Sequence, residues 1–427
     1  DDNIYLFLCY NGIEEVVFVK KVAIIGAGAS GLVCSITAAC RDVEVVLFDK
    51  NSFAGKKLLA TGNGRCNYWN SDQDLSHYHS SEKENLPFII TDDIKNEVLP
   101  FFESIGVVPI IRNGYYYPLS NQASSIQNLL QEEAQRRGVI FAFDTEVINA
   151  WKEGEQFVIE TKEGKEYFDD LVIATGSKAS PKTGSDGFGY TLAKKFGHTI
   201  APVRPALVQL VTNGDFLKEW SGVRTNCIVS LYEDDRFVKA EEGEIQLTDY
   251  GVSGICVFNL SRIVSLGLPK KTERLSISFL PFLKDKSEDE IYAWFSKRGE
   301  QLKEYSMVSF LEGILPYKLI LVILKLSNIS KKATWSSLLK EEQQQLLSYL
   351  LSFPLEVIGT KDFSSAQVCC GGVLLSEVSS WLESKKESHL YFVGEILDID
   401  GDCGGYNLGF SWMSGLLVGK ALRGGSK

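Results

Sequence analysis

Residues 20–50 read KKVAIIGAGASGLVCSITAACRDVEVVLFDK, and this stretch decides the fold class. A β-branched run from Val22 to Ile25 meets glycines and a helix-like stretch of small and apolar residues; a second apolar run follows from Val43 to Phe48. The predicted order is strand, turn, helix, strand. Gly26, Gly28 and Gly31 form GxGxxG: the first permits the sharp turn, the second admits a diphosphate to the backbone, and the third lets the helix pack closely on the strand. Unpaired N–H groups and partial positive charge at the helix start suit that diphosphate. Asp49, eighteen residues beyond Gly31, ends the second strand, where a carboxylate can accept both ribose hydroxyls and disfavours a 2′-phosphate. A glycine-rich turn alone also recurs for purely structural reasons; the flanking strand, helix and acid supply the context that favours a dinucleotide.

The next segment, NSFAGKKLLATGNGRCNYWN (51–70), replaces the second helix expected of a simple nicotinamide dehydrogenase. Gly55, Gly62 and Gly64 let backbone lie close to a ligand, and Lys56, Lys57 and Arg65 offer charge to a phosphate or an anionic flavin ring; the plain alternative is a solvated loop. DDLVIATG (169–176) and HLYFVGEILDIDGDCGGYNLGFSWMSGLLVG (389–419) each place a buried strand before a small-residue turn, so two late strands are expected to return to the first sheet. A nucleotide domain completed by the chain's end is the arrangement of FAD enzymes. Asn407 is expected to cap a helix from Leu408 to Val418, leaving the amides of Leu408 and Gly409 to stabilise negative charge on a reduced flavin's pyrimidine edge.

GAGASGL, GKKLLATGNGRCNYWN, NGYYYPLSNQASS, DDLVIATGS, GSDGFGYTLAKKFGH, LTDYGVSGICVFNLSR, AQVCCGGV and GEILDIDGDCGGYNLGFSWMSG occur in this order between Lys20 and Gly419. In this the chain resembles bacterial flavoproteins of the YhiN/BaiN type, also labelled NAD(P)/FAD-dependent oxidoreductases or aminoacetone-oxidase-like proteins. The resemblance implies FAD held by Gly26, Ala27, Gly28, Ser30, Gly31, Asp49, Lys50, Lys57, Gly62, Gly64, Arg65, Cys66 and Asn67. Later in the chain it implies Val147, Thr175, Gly176, Gly394, Glu395, Asp398, Asn407, Leu408 and Gly409. Two departures are Cys369-Cys370, where such proteins more often look Thr-like or small, and Cys403 beside the GGYN turn.

With 427 residues the chain suggests two or three domains, and 44% hydrophobic with 23% charged residues is ordinary globular composition. Its net charge of −11 is spread along the sequence, without a basic stripe, so nucleic acid is not expected as a partner. The nine cysteines show no CxxC pair and no Cys/His ladder suited to zinc, so no metal is expected and a reduced, cytoplasmic setting fits. No window reaches the roughly 18 apolar residues that cross a bilayer, and no membrane association is expected. The opening stretch begins with acids and lacks a basic n-region and a small-residue cleavage site; residues 1–19 are read as an extension.

A flavin-linked disulfide reductase needs two thiols within bonding reach, and adjacent Cys369 and Cys370 are read as packed thiols rather than a strained vicinal disulfide. Cys66, beside Arg65, is the better candidate for thiolate character, with packing or flavin contact as the bland alternative. Cys66, Asn67 and Tyr116 are the tentative catalytic residues. Tyr116 belongs to the run Tyr115-Tyr116-Tyr117, whose strand-like alternation sends one face to the core and the other toward a substrate cavity or flavin N5. His77 and His79 can supply a proton or be idle loop residues.

The expected architecture is α/β: a Rossmann-like FAD-binding domain of the two-dinucleotide-fold flavoprotein type, formed by 20–190 with 362–427. It is interrupted by an insert at 191–361, β-rich and barrel-like over 191–283 and a small helical subdomain over 284–361. LTDYGVSGI (247–255) either reaches the ring or serves only as a turn of the barrel. The function expected is an FAD-dependent oxidoreductase moving a hydride between flavin N5 and a small organic substrate. GSDGFG (184–189) follows a Pro/Lys-rich loop and lacks a downstream acid, so NAD(P)H is expected only as a transient reductant, with dioxygen as the alternative redox partner. A tRNA-modifying flavoprotein and a non-catalytic FAD-binding module are the rival readings; oligomeric state is left open.

Overall fold

The computed structural model describes residues 6–10, 13–17 and 19–424. Of the expected extension, residues 1–5, 11, 12 and 18 lie outside the described residues, while Leu6–Tyr10 and Ile13–Val17 pair as an antiparallel hairpin. The chain forms two compact units, 1–204 with 368–427 and 205–367.

In the first unit, five parallel strands lie in the order Leu390–Phe392, Asp170–Ile173, Lys20–Ile25, Val43–Phe48, Ile140–Ala142. Their apolar runs are buried because both faces of such a sheet are covered. The two late strands do return to the first: Leu171–Ile173 pairs with Ala23–Ile25 on one side and with Leu390–Phe392 on the other. A three-stranded antiparallel meander (Asn149–Glu153, Gln156–Glu160, Lys165–Phe168) precedes the fourth strand of the chain to join the sheet.

The helix Ala29–Ala38 follows the glycine turn, and the helix Tyr406–Leu422 packs along it. Close approach depends on glycine. A Cβ on Gly415 would fall 2.7 Å from the Ser30 carbonyl oxygen and 3.0 Å from the Cys34 nitrogen, and one on Gly419 would fall 2.4 Å from Thr37 Cβ. Since Gly415 meets residues 30–34 and Gly419 meets 34–37, the helices run in the same direction.

The second unit is built on a closed barrel ordered Leu210–Thr212, Gly251–Gly254, Arg236–Leu247, Arg224–Glu233, Glu273–Ser278, Phe353–Thr360. Helices Glu288–Gln301, Met307–Glu312, Tyr317–Leu326 and Lys340–Leu351 lie within the stretch expected to be helical, and Gly313 and Pro316 separate the second from the third. The expected division into β-rich 191–283 and helical 284–361 needs correction. The barrel is closed by Phe353–Thr360, which lies after the helices, and the helix Ile255–Gly267 lies among the strands. This strand turns Phe353, Leu355 and Val357 inward, and its pairing with strands far earlier in the chain is what the local sequence could not show.

The units divide at 204/205 and 367/368, where the sequence suggested 190/191 and 361/362. The helix Phe188–Lys195 and His198 pack on the first unit: the His198 ring meets Phe392 at 4.7 Å, and Nε2 lies 2.7 Å from Ser384 Oγ. LTDYGVSGI forms a barrel hairpin in which the Thr248 amide and hydroxyl both donate to the Gly251 carbonyl at 2.9 Å. Among the described residues no helix is long and apolar enough to cross a membrane.

Within the barrel, Glu273 lies across from Glu233 on the neighbouring strand, 1% exposed, and no donor among the described residues reaches its carboxyl oxygens. Burial first, then the Glu233 charge, pushes its pKa from 4.5 up to about 7. The folded state therefore holds a proton that the unfolded chain has lost. Stability from this group is complete below about 4.5 and disappears as pH rises through 7. Glu273→Gln should raise stability by about 1–3 kcal/mol at pH 8 and leave it unchanged at pH 4, read from urea unfolding; equal effects at the two pH values would refute the assignment.

Candidate functional site

Gly26, with φ +109°, donates to the Phe48 carbonyl at 2.8 Å, and a Cβ there would fall 2.5 Å from the Ala174 carbonyl oxygen. Gly31 is tighter still: its Cβ would sit 2.0 Å from the Gly26 carbonyl oxygen. Gly28 differs, because nothing lies within 4 Å of its Cβ position. Two of the three glycines thus serve packing, and the third opens on free space at the helix start.

Asp49 holds this turn. One carboxylate oxygen accepts the Ala27 amide at 2.8 Å, and the other accepts the Asn51 amide and side chain at 2.8 and 2.9 Å. The cations expected to face a ligand are largely committed. Lys50 pairs with Asp186 at 2.6 Å, Lys56 donates to Asn51 Oδ1 at 3.0 Å, and Lys57 pairs with Glu395 at 2.7 Å. Ser177 donates to the same Glu395 oxygen at 2.9 Å, so Glu395 links the late strand's turn to the Lys57 loop. Val147 is buried beside the meander.

Residues 61–67 wind tightly, with Gly62, Asn63, Gly64 and Cys66 all at positive φ. The following stretch lies against the start of the last helix. Asn70 Nδ2 donates to the Gly404 carbonyl at 2.9 Å, the Trp412 indole donates to the Tyr68 carbonyl at 2.8 Å, and Gly405 and Gly409 give Trp69 room. Among the described residues, Asn67 Oδ1 is buried without a hydrogen-bond partner, about 3.2 Å from the Gly405 Cβ position, and Thr175 Oγ1 is likewise buried and unpartnered. Gly394, at φ +74°, donates to Ser414 Oγ at 2.9 Å, and a Cβ there would meet Ser30 Oγ at 2.5 Å. Gly176, at φ +72°, packs against Ser185 Oγ.

Several expected roles need correction. The last helix begins at Tyr406, with Gly405 at its cap, and Asn407 lies inside it; the Asn407 side chain instead clamps the Gly401 backbone, accepting at 2.8 Å and donating at 2.7 Å. Gly409 N donates to the Gly405 carbonyl at 2.8 Å, so the amides lacking intrahelical acceptors are those of Tyr406, Asn407 and Leu408. Cys66 is fully buried, and burial pushes its thiol up to about 12 despite a hydrogen bond from Thr61, which removes thiolate character. Tyr116 turns to the core, edge-on to Tyr68 at 6.2 Å. Asp398 accepts the Ser81 amide at 2.9 Å and both the Ser81 and Ser80 hydroxyls. Cys369 and Cys370 are buried, Cys370 Sγ lies 3.7 Å from the Arg204 carbonyl oxygen, and burial pushes the Cys369 thiol up to about 11.

One cluster had little sequence signal. Asp402, in the GDCGGYN turn, accepts from both histidines of HYH: His77 Nδ1 at 3.2 Å and His79 Nε2 at 2.9 Å. His77 Nε2 reaches Asp72 at 3.1 Å, and its ring stacks on Tyr406, 4.5 Å away and 15° from parallel. His77 ends a short 3-10 turn and His79 lies in the two-residue strand Tyr78–His79, where the sequence suggested loop histidines; the carboxylate 323 residues from His79 had no local signal.

A family model described as "HI0933-like protein Rossmann domain" matches residues 20–421. The chain belongs to the HI0933-like family. It is a flavoprotein oxidoreductase with a nucleotide-binding Rossmann domain. The chain is 38% identical to the 3-dehydro-bile acid delta(4,6)-reductase of Clostridium scindens over 94% of its own length and 98% of that protein's. It is 28% identical to the ribosomal RNA dihydrouridine synthase of Escherichia coli over 92% and 95%, and 26% identical to that of Haemophilus influenzae over 92% and 95%.

The residues present fit a flavin dinucleotide: the open space at Gly28, the unpartnered buried oxygens of Asn67 and Thr175, and two positively polarised helix starts facing the same way. Gly28→Val should leave a folded protein without yellow flavin absorbance, whereas Gly31→Val should fail to fold, because only the second side chain meets backbone. Circular dichroism and the visible spectrum of the purified variants distinguish these outcomes; a yellow Gly28→Val protein would count against the loop.

Proposed function

We propose that the protein is an FAD-dependent reductase that saturates a carbon–carbon double bond conjugated to a carbonyl in a small apolar substrate, with NAD(P)H as transient reductant. The observation that carries the reading is the same-direction packing of the first and last helices, whose starts are offset by roughly 10 Å at 1.5 Å per residue. That offset suits an extended cofactor with its diphosphate at Gly28 and its pyrimidine edge at Tyr406–Leu408. The names of the relatives support the reaction type, since both describe loss of a double bond.

When bound, the flavin supplies hydride chemistry at N5. Ala27, Gly28 and Ser30 would hold the diphosphate on a turn that Gly26 and Gly31 let pack closely; Asp49, by pinning the Ala27 amide, sets that turn and would offer its remaining lone pairs to the ribose. Asn67 and Thr175 offer their free oxygens, and the first-turn amides of the last helix face developing negative charge. The tightly bonded Lys57–Glu395–Ser177 group fixes the two glycine turns relative to each other. A carbanion or enolate formed by hydride addition needs a proton, and the His79–Asp402–His77–Asp72 chain holds protons at ring nitrogens beside Tyr406.

With NADH or NADPH and a panel of conjugated enones, the flavin-loaded protein should oxidise nicotinamide only when an enone is present. A flavin that is never reduced would favour the non-catalytic module, and a salt-dependent shift of ribosomal RNA with no enone turnover would favour the RNA-modifying reading. His79→Gln should retain flavin and lose about 10²-fold or more in kcat, whereas Cys66→Ser should retain turnover. Asp49→Ala should weaken FAD by roughly 1–3 kcal/mol in equilibrium titration; unchanged retention would remove it from the cofactor site.

A further inference from the structure

Two thiols that the cysteine spacing kept apart meet in the barrel. Cys227 stands on the strand Arg224–Glu233, whose inward residues Cys227, Val229 and Leu231 are fully buried. Its cross-strand partner on Arg236–Leu247 is Gly243. Such partners share a face with Cβ positions roughly 5 Å apart, so a glycine there leaves the space beside Cys227 unfilled. Cys256, the second residue of the helix Ile255–Gly267, occupies it: its Cβ lies 3.6 Å from the Gly243 Cβ position. Both cysteines belong to one apolar core with Ile245 and Leu260.

The two sulfurs are hydrogen-bonded to each other, and they are unequal. The Cys227 thiol donates to the Cys256 sulfur, which holds Cys256 below the ordinary thiol value and raises Cys227. The backbone N–H groups of Cys256 and Val257 at the helix start lower Cys256 further. As a thiol, Cys256 donates in turn to the Glu244 carbonyl at 3.5 Å. Burial has the opposite effect on Cys34, Cys66 and Cys369, which are all pushed up. Ile255, next to Cys256 in the chain, is 59% exposed, so the pair lies close beneath the barrel's surface, within reach of a water-sized oxidant.

We propose that Cys227 and Cys256 form a dithiol modification site that hydrogen peroxide closes to a disulfide and small thiols reopen. The Cys256 thiolate attacks one peroxide oxygen: an S–O bond forms, the O–O bond breaks, and the departing hydroxide takes up the proton that Cys256 released and leaves as water. Cys227 then attacks the sulfenic sulfur; the S–S bond forms, the S–O bond breaks, and the Cys227 proton leaves with the oxygen as a second water. Two thiols give up two electrons and one peroxide becomes two waters. The new bond ties the helix start to a strand 29 positions earlier in the sequence. The site lies within the barrel unit and makes no use of the flavin, so it goes beyond the reductase reading and does not depend on it.

The test uses the full chain as purified, with or without flavin, exposed to a small excess of hydrogen peroxide while folded, then alkylated in denaturant and digested without reductant. Peptide mass spectrometry should find the Cys227 and Cys256 peptides joined, about tenfold or more in excess over any oxidised product at Cys34 or Cys66, and dithiothreitol should separate them. Cys227→Ala should stop Cys256 at the sulfenic acid, which dimedone labels, whereas Cys256→Ala should leave Cys227 reduced. The wild-type peptide map decides the question even where circular dichroism shows that a variant has not folded. Cys227 and Cys256 that stay reduced while other cysteines oxidise, or a link that forms only when peroxide is added after unfolding, overturns the site. Dimedone labelling of Cys227 in the Cys256→Ala protein, equal to that of Cys256 in the Cys227→Ala protein, overturns the assignment of Cys256 as the attacking thiol.

Discussion

The contact on which the site depends is glycine on backbone between the first and last helices. Gly415 against Ser30 and Cys34, and Gly419 against Thr37, let two helix backbones touch where any side chain would hold them apart. The approach aligns the helices, brings their amino ends to one side and fixes the offset between them. Neither end alone defines a dinucleotide site, since a helix start is a generic anion attractor. Two starts held in register by a glycine contact make an extended site with two distinct positive ends.

Around that contact the chain divides its polar residues between holding the loops and facing a ligand. Asp49, Lys50, Lys57, Glu395 and Asn407 are all spent on internal bonds that fix glycine turns. Among the described residues, nothing hydrogen-bonds to the buried Asn67 Oδ1 or Thr175 Oγ1. An unmet buried acceptor costs about 1–3 kcal/mol, so these atoms mark where the fold has given up stability. The histidine pair on Asp402 belongs to the first group by its bonds and to the second by its place beside Tyr406.

Membership of the HI0933-like family agrees with this division, because the motifs that carry the resemblance are the glycine turns and the short segments bonded to them. TGNGRCN and GGYN are far apart in sequence yet meet through Asn67, Trp69, Asn70, Gly404 and Gly405. A flavoprotein's chemistry belongs to the cofactor, and the chain supplies its orientation and the groups around it.

The sequence by itself determined the parallel sheet, the return of the two late strands and the glycine fingerprint, because β-branched runs, a short period of glycines and a terminal acid are local signals that neighbouring residues suffice to produce. The three- and four-residue apolar spacing within Glu288–Gln301 and Lys340–Leu351 likewise announced their helices. Tertiary structure alone decided the rest. Phe353–Thr360 became the sixth strand of the barrel through its pairing with Glu273–Ser278 and Leu210–Thr212; Pro354 shows where the preceding helix must stop, and the pairing itself has no local signal. Cys66 lost its reactive character through burial, and Tyr116 was turned to the core by the register of its hairpin. Asn407 moved from cap to clamp because Gly405 already ended the loop, and Asp402 joined two histidines 325 and 323 residues away. Propensity acts over a few residues, whereas burial, register and ion pairing depend on partners that only the folded chain brings near.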